Sequence, residues 1–385
     1  MYYNFTPLMN ILIIYPYYNH QSLMRNFSSK LGNSGIFADV ICVSNYCYEK
    51  TTNLPWPTFL VKCFKFVNAA KDSWVRKVVR KLVYKNLISK LFPMYDIVDF
   101  HAYLPSYNEL MRECVKKKVK FDITPWGSDL MRATKEKKQL VQYGFDHCYR
   151  LKLTDNLYDV MGESYGNTYD DKSRIVYFGN SDLPVIDDLT ESEAKAIKYR
   201  LYGDTENKKI VVCGYNGIPS QNHFKMLEAL SLLNETEKRS VHVVFPMTYG
   251  APQGYMDRIR AKMEDLTVPY TIMDKFLEPK EVASIRRTAD IVINVQNTDA
   301  MSGSLQDHLY CGNVCIFGEW LNYSPYTNNG IYYIKTRMED IASHLKDALL
   351  HYPEYHSLCL GNHDKIKSLF SWEATIAKQV SVYGE

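Results

Sequence analysis

The sequence is short of the features that would take it out of the soluble globular class. No apolar run approaches the roughly 20 residues that span a bilayer, and Ile11 to Tyr15 is too short for a signal-peptide core. A protein that neither crosses a membrane nor is exported is therefore expected. Nine cysteines are scattered without a CxxC pair, which argues against a disulfide framework or a zinc site and for reduced thiols in the cytoplasm. The closest pairs, Cys42/Cys47 and Cys311/Cys315, read as core residues. Charge of one sign is also missing: 46 basic against 43 acidic residues leave a formal +3, which gives no reason to expect a nucleic-acid partner. Neither a repeat nor a low-complexity tract is visible. No Asp-x-Asp motif stands out, since Asp170/Asp171 and Asp187/Asp188 are adjacent pairs in polar, loop-like stretches. Metal-independent chemistry without a cofactor is expected.

What is present is ample apolar material, 46% hydrophobic and 14% aromatic, over 385 residues, enough for two or three domains with buried cores. Apolar runs alternate with longer helical patterns from end to end, which is the signature of βαβ units in an α/β protein. One series runs through segments 10–15, 38–43, 96–100, 119–123, 147–153 and 174–178. A second runs through 209–213, 242–245, 270–273, 290–294, 314–317 and 331–334. Between them, residues 180–205 are polar, acidic and Pro-containing, and read as a linker followed by a short helix. The expected boundary is near residue 185, giving domains 1–185 and 186–370. Residues 371–385 read as a capped amphipathic helix with Trp372, Ile376 and Val380 on one stripe.

The most informative stretch is Asp299-Ala-Met-Ser-Gly-Ser-Leu-Gln-Asp307, which places two carboxylates around a small-residue turn just after an apolar strand. A carboxylate there can accept hydrogen bonds from vicinal ribose hydroxyls. The Ser302-Gly303-Ser304 turn opens a helix whose N-terminal amides favour a phosphate. Together they suit a sugar nucleotide. The pattern resembles the acidic-x7-acidic signature of two-domain GT-B-fold glycosyltransferases of the group 1/4 type, with Asp at both positions where commoner members carry Glu.

Further segments are similar to that family in order and spacing. Tyr95 to His101 resembles the strand ending in a cleft histidine, and Thr124-Pro-Trp-Gly-Ser-Asp129 resembles the loop after the next strand. Gly214 to His223 stands where the donor-phosphate loop belongs, and Gly318 to Tyr323 follows the strand after the Asp307 helix. The resemblance implies two Rossmann-like domains facing each other across a cleft, the first holding the acceptor and the second the donor, with the closing helix 371–385 returning to the first. The sequence departs from the common retaining members, which place an Arg and a Lys after the first strand of the second domain. Here that stretch offers Asn216, Gln221, Asn222 and His223, with Lys225 the only cation. This loop, with Pro246, Met247 and Tyr249, looks closer to the transferases that add 4-acetamido-4,6-dideoxygalactose to lipid-linked intermediates of surface polysaccharides.

The site expectations follow. Breaking an anomeric carbon–phosphate bond develops negative charge on the departing diphosphate, so donors must be held there. The turn Gly217 to Ser220 before Asn222 and the turn Ser302 to Ser304 offer amides and helix dipoles, and His223 or Lys225 would add charge. Asp307 reads as a ribose acceptor or as an ordinary first-turn helix acid. Asp299 reads as a contact to the transferred sugar or as a strand terminator, and Ser302 and Ser304 as phosphate ligands, N-caps or both. Phe276 and Leu277 stand where the nucleobase would be framed, or face the core. His101 lies at the expected carboxyl end of a parallel strand, where an imidazole can serve as base or substrate contact. Asp129 reads as base, acceptor contact or helix cap, and Asn19, His20 and Trp126 are acceptor-side candidates.

The basic stretch from Trp74 to Phe92 alternates Val75, Val78, Val79 and Leu82 with Arg76, Lys77, Arg80, Lys81 and Lys85. It suits either a peripheral contact with the inner face of the cell membrane or a domain helix with solvated charges. The expectation is a cytoplasmic glycosyltransferase taking a nucleotide-diphosphate sugar and a glycan or polyprenyl-linked acceptor in bacterial surface polysaccharide synthesis. A sugar-nucleotide 2-epimerase of the same fold and a non-catalytic GT-B-like partner are the alternatives.

Overall fold

Apolar runs in the sequence become the inner strands of two separate sheets. The computed structural model describes residues 9–17, 21–44, 47–69 and 88–385, with no side-chain description for 66–69. Asn19, His20 and residues 74–87 of the basic stretch lie outside the described residues. The chain divides into unit 1, Met1–Gly179 with Trp372–Glu385, and unit 2, Asn180–Ser371.

Unit 1 contains strands β1 (Met9–Tyr15), β2 (Ile36–Cys42), β3 (Tyr48–Glu49), β4 (Ile97–His101), β5 (Lys120–Thr124), β6 (Arg150–Leu153) and β7 (Ser173–Ile175). They form a seven-stranded sheet in the order β3-β2-β1-β4-β5-β6-β7, parallel except for the antiparallel edge pair β2–β3. The order reverses at β1, between β2 and β4, and such switch points are where open α/β sheets bind ligands beyond the strand carboxyl ends. Strand β1 is buried on both faces at Ile11, Leu12, Ile13 and Ile14, as a continuous apolar run in a covered parallel sheet should be. The helix Gln21–Asn33 turns Met24, Phe27 and Leu31 onto it at helical spacing. The last helix, Trp372–Gly384, lays Trp372, Ile376 and Val380 on the same core, with Trp372 stacked on Phe27 at 6.0 Å between ring centres.

Unit 2 contains β8 (Lys209–Cys213), β9 (Val241–Pro246), β10 (Tyr270–Met273), β11 (Ile291–Asn294), β12 (Val314–Gly318) and β13 (Ile334–Thr336), all parallel, in the order β10-β9-β8-β11-β12-β13. The two-sheet α/β architecture expected from alternation is present. Its switch point is between β8 and β11. The segment read as a linker is more ordered than expected: helices Leu183–Asp188 and Glu191–Tyr202 belong to unit 2. A capping box at Thr190 and Glu193 starts the second of them, and Ser284 Oγ donates to Ala194 O at 2.9 Å from the neighbouring helix Pro279–Thr288. Strand β3 and the true position of β13, beyond the expected 331–334, also differ from the sequence reading.

Candidate functional site

In unit 2 the loops after β8, β9, β11 and β12 meet at the carboxyl end of the switch point. Gly214 has φ +68° and leads β8 into the turn; a Cβ there would stand 2.9 Å from Gln221 Oε1 and 3.1 Å from His223 Nε2. Gly217 is needed for close approach, since a Cβ would lie 2.6 Å from that of Ala251, and its amide donates to Tyr249 O at 2.8 Å. The turn closes through Pro219–Gln221 into Asn222, left-handed at φ +62°, before the helix His223–Ser231. The Asn222 side chain does not point outward. Its Nδ2 donates to Val295 O at 2.7 Å and to Asn297 Oδ1 at 2.8 Å, which ties the β8 loop to the β11 loop.

Asp299 is the node of the β11 loop. It is 7% exposed and accepts from Tyr215 Oη at 3.0 Å, Tyr323 Oη at 2.8 Å and the Ser302 amide at 3.0 Å. Burial raises its pKa against these donors, which lower it. Gln296 accepts from Tyr215 Oη at 3.1 Å and from Gln221 Nε2 at 2.8 Å, and its carbonyl takes the Trp320 indole N–H at 2.8 Å. The turn at Met301, φ +59°, leads into the helix Gly303–Tyr310, whose first residue is exposed. Ser302 occupies the N-cap position without a side-chain cap bond, and the buried Ser304 Oγ has no hydrogen-bond partner. The first-turn amides of Gly303 and Ser304 have no acceptor within the helix, as at any helix start. Amides and a hydroxyl are thus left for an anion.

Asp307 follows one turn on and is 1% exposed. Asn180 Nδ2 donates to its Oδ1 at 2.8 Å, whereas Oδ2 has no hydrogen bond and lies 3.6 Å from Arg286 Nε. Burial first, then the neighbouring Asp182, push its pKa up to about 7, against the pull of Arg286. Arg286 Nη1 in turn meets His308 Nε2 at 2.8 Å.

Several expected residues stand apart from that node. His223 is buried and held neutral, its pKa pushed down to about 4 chiefly by desolvation, so it brings no charge to a phosphate. Lys225 faces outward and pairs with Glu228 at 2.8 Å. Pro246 and Met247 are buried at the end of β9. Phe276 is 87% exposed on the loop after β10, with Leu277 half-buried beside it. Tyr215, Gln296, Trp320, Tyr323, Asn180 and Arg286 were not singled out in the sequence. Tyr215, Trp320 and Tyr323 fall inside its motifs, while nothing local marks Asn180 or Arg286 as partners of Asp307.

In unit 1, His101 is wholly buried among Phe27, Trp126 and Phe178, with Nε2 at ion-pair distance, 3.0 Å, from Asp99 Oδ2 but out of line for a hydrogen bond, and with no partner on Nδ1. Burial, and then Lys152, lower its pKa while Asp99 raises it; the net direction is down. Asp129 accepts the amides of Tyr103 at 2.7 Å and Trp126 at 3.0 Å, clamping the loops after β4 and β5 together. Among the described residues no group of three or more His, Cys, Asp or Glu could hold a metal ion, and no helix is long and apolar enough to cross a membrane.

No protein-family model matches this sequence, and no curated protein matches it in sequence. Solved structures match it in shape over nearly its whole length. A glycosyltransferase from Rickettsia africae superposes with a TM-score of 0.74 at 14% identity, covering 97% of each chain. HepE from Anabaena, solved with UDP and glucose, gives 0.71 at 10% identity over 97% of this chain and 99% of that one. Sucrose-phosphate synthase from Thermosynechococcus elongatus gives 0.69 at 10% identity over 98% of each. The fold is that of the GT-B glycosyltransferases. At these identities the likeness is one of fold, as the sequence resemblance implied, and the chemistry must be argued from the residues above.

Proposed function

We propose that this chain is a glycosyltransferase that moves a sugar from a nucleotide-diphosphate donor to a glycan acceptor, polyprenyl-linked and at the inner face of a bacterial membrane, in surface polysaccharide synthesis. The observation that carries the donor half is the start of the helix Gly303–Tyr310, exposed at Gly303, at the β8/β11 switch point, with its open amides and the unpartnered Ser304 hydroxyl. The diphosphate is assigned there and to the Gly217 turn. Negative charge that develops on the leaving phosphate is met by fixed dipoles, with no cation from His223 or Lys225. Asp307, 1% exposed with Oδ2 3.6 Å from Arg286 Nε, is assigned to hold the helix start beneath the ribose, and the exposed Phe276 with Leu277 to the nucleobase. Asp299 is assigned the work of holding the turn. HepE has been solved with UDP-glucose, which supports a donor of this class.

The acceptor half is assigned to unit 1. His101, with an unpartnered Nδ1, is the group proposed to meet an acceptor hydroxyl, and Trp126 packs against its ring. Asp129, whose oxygens accept loop amides, is assigned to hold the loops and not to remove a proton. The lipid-linked acceptor draws on the basic stretch from Trp74 and on the sequence resemblance.

A thermal-shift panel of UDP, GDP and dTDP tests the donor site, because a ligand at ~100 times its dissociation constant adds about 2.7 kcal/mol to native stability. One of the three should stabilise the protein, and Asp307→Ala should weaken that shift. A flat response to all three would end the donor assignment. Donor turnover that needs no acceptor would favour the 2-epimerase, and nucleotide binding without turnover the non-catalytic partner.

A further inference from the structure

Among the described residues of unit 1, the densest buried charge is on one face of β4, β5 and β6. Side chains two apart share a face, and the registers Asp99↔Asp122, His101↔Thr124 and Asp122↔Arg150 set these residues side by side. Asp99, Asp122, Arg150 and Lys152 are each at most 2% exposed. Arg150 grips Asp122 with two bonds, at 3.1 and 3.0 Å, and its other nitrogen donates to Val382 O on the last helix. Asp99 accepts from Thr124 Oγ1 at 2.9 Å, from Lys152 Nζ and from the phenol of Tyr383, and Lys152 donates to that same phenol at 2.6 Å. His101 Nε2 stands at ion-pair distance, 3.0 Å, from the Asp99 oxygen that accepts from Lys152 and Tyr383. Buried ion clusters are poor stabilisers compared with apolar residues of similar volume, so this one invites a role beyond stability.

We propose that Tyr383 is a positioning residue for His101: with Lys152 and Thr124 it fixes the Asp99 carboxylate, which keeps the imidazole proton on Nε2 and leaves the Nδ1 lone pair for an acceptor hydroxyl. The last helix is thereby part of the acceptor-side machinery as well as a lid on the sheet. The functional half of this role rests on the assignment of His101 above. The groups around the imidazole are Asp99 from its own strand, with Lys152 from β6 and Tyr383 from the last helix on the same Asp99 oxygen, and the rings of Phe27, Trp126 and Phe178, with Asp122, Thr124 and Arg150 beyond Asp99.

The test is a long-range proton–nitrogen spectrum of full-length protein carrying 15N-histidine, with the His101 signals identified from His101→Gln. The wild type should show the Nε2–H tautomer at neutral pH. Tyr383→Phe removes one donor from Asp99, so the less compensated carboxylate should favour the imidazolium and raise the His101 proton affinity about threefold or more. Thr124→Val, which leaves the helix untouched, should move it in the same direction. Tyr149→Phe loses a bond to the end of the same helix, Tyr149 Oη to Glu385 O at 2.8 Å, without touching Asp99, and should leave His101 as it was. His101 signals unmoved by both Tyr383→Phe and Thr124→Val would overturn the proposal, as would an equal effect of Tyr149→Phe. The readout does not depend on transfer, so a failure of the glycosyltransferase reading would be seen separately as a lack of turnover with an unchanged histidine response. If transfer is found, Tyr383→Phe should also move the acid limb of its pH profile upward and leave donor affinity unaltered.

Discussion

The two carboxylates of the 299–307 run do different work. Asp299 gathers two phenols and an amide, so Asp299→Ala takes the acceptor from Tyr323 and the Ser302 amide, leaves Tyr215 only Gln296, and frees the Met301 turn. Loss of such a buried network should cost roughly 2–4 kcal/mol of stability by denaturant titration, and the nucleotide thermal shift should fall with it. Asp307 carries a pH signature. Its native pKa of about 7 lies above the ~3.9 of an unfolded aspartate, so between these values the native state holds more protons than the unfolded one. Stability from this group is therefore fully present below about pH 4 and is lost as pH rises towards 7, at up to ~1.4 kcal/mol per pH unit. Denaturation midpoints from pH 4 to 8 should fall more gently in Asp307→Asn than in the wild type. The spacing of the two acids was legible because it depends only on a strand end, a turn and a helix start. Their partners were not, since Asn180 and Arg286 reach Asp307 from segments 127 and 21 positions away, and no local pattern encodes a long-range contact.

At the level of elements, the sequence was most readable where burial is two-sided. The apolar runs of β1, β8, β9 and β11 have no polar alternation to confuse them, and each became a central strand. Legibility failed at edges: β3 is two residues long and held by antiparallel pairing to β2, too short for a periodicity. It was partial in the segment after Asn180, where Thr190-Glu-Ser-Glu193 carried a capping box but the acidic composition read as linker. The last helix depends on an absence of side chain. A Cβ on Gly179 would sit 2.1 Å from the Trp372 ring, and neither can yield without moving the helix off Phe27. Gly179→Ala should cost about 1–3 kcal/mol. Faster amide exchange confined to 372–385 and its contacts would identify the cause, whereas uniform loss of protection would point elsewhere.

For the whole molecule, the chain path divides the two units unequally. Unit 2 is one continuous segment with its own six-stranded sheet and a core that runs from Val211 to Cys359. A domain of that size buries enough apolar surface to fold alone. A polypeptide of residues 180–371 should unfold cooperatively, and it should keep the nucleotide thermal shift if the donor site is complete within it. Unit 1 is split, and its second piece supplies Trp372 and Tyr383 to the core and to the Asp99–Lys152 cluster. Residues 1–179 alone would uncover the buried charges of Asp99, Arg150 and Lys152 and the face of Phe27, a combination that costs more than a cavity because buried polar groups lose their partners. That fragment should bind a hydrophobic dye and melt without a sharp transition, and a synthetic 372–385 peptide should restore the transition in a concentration-dependent way. The same peptide with Phe in place of Tyr383 should dock more weakly. Cooperative folding of 1–179 without the peptide would show that the sheet does not need its last helix.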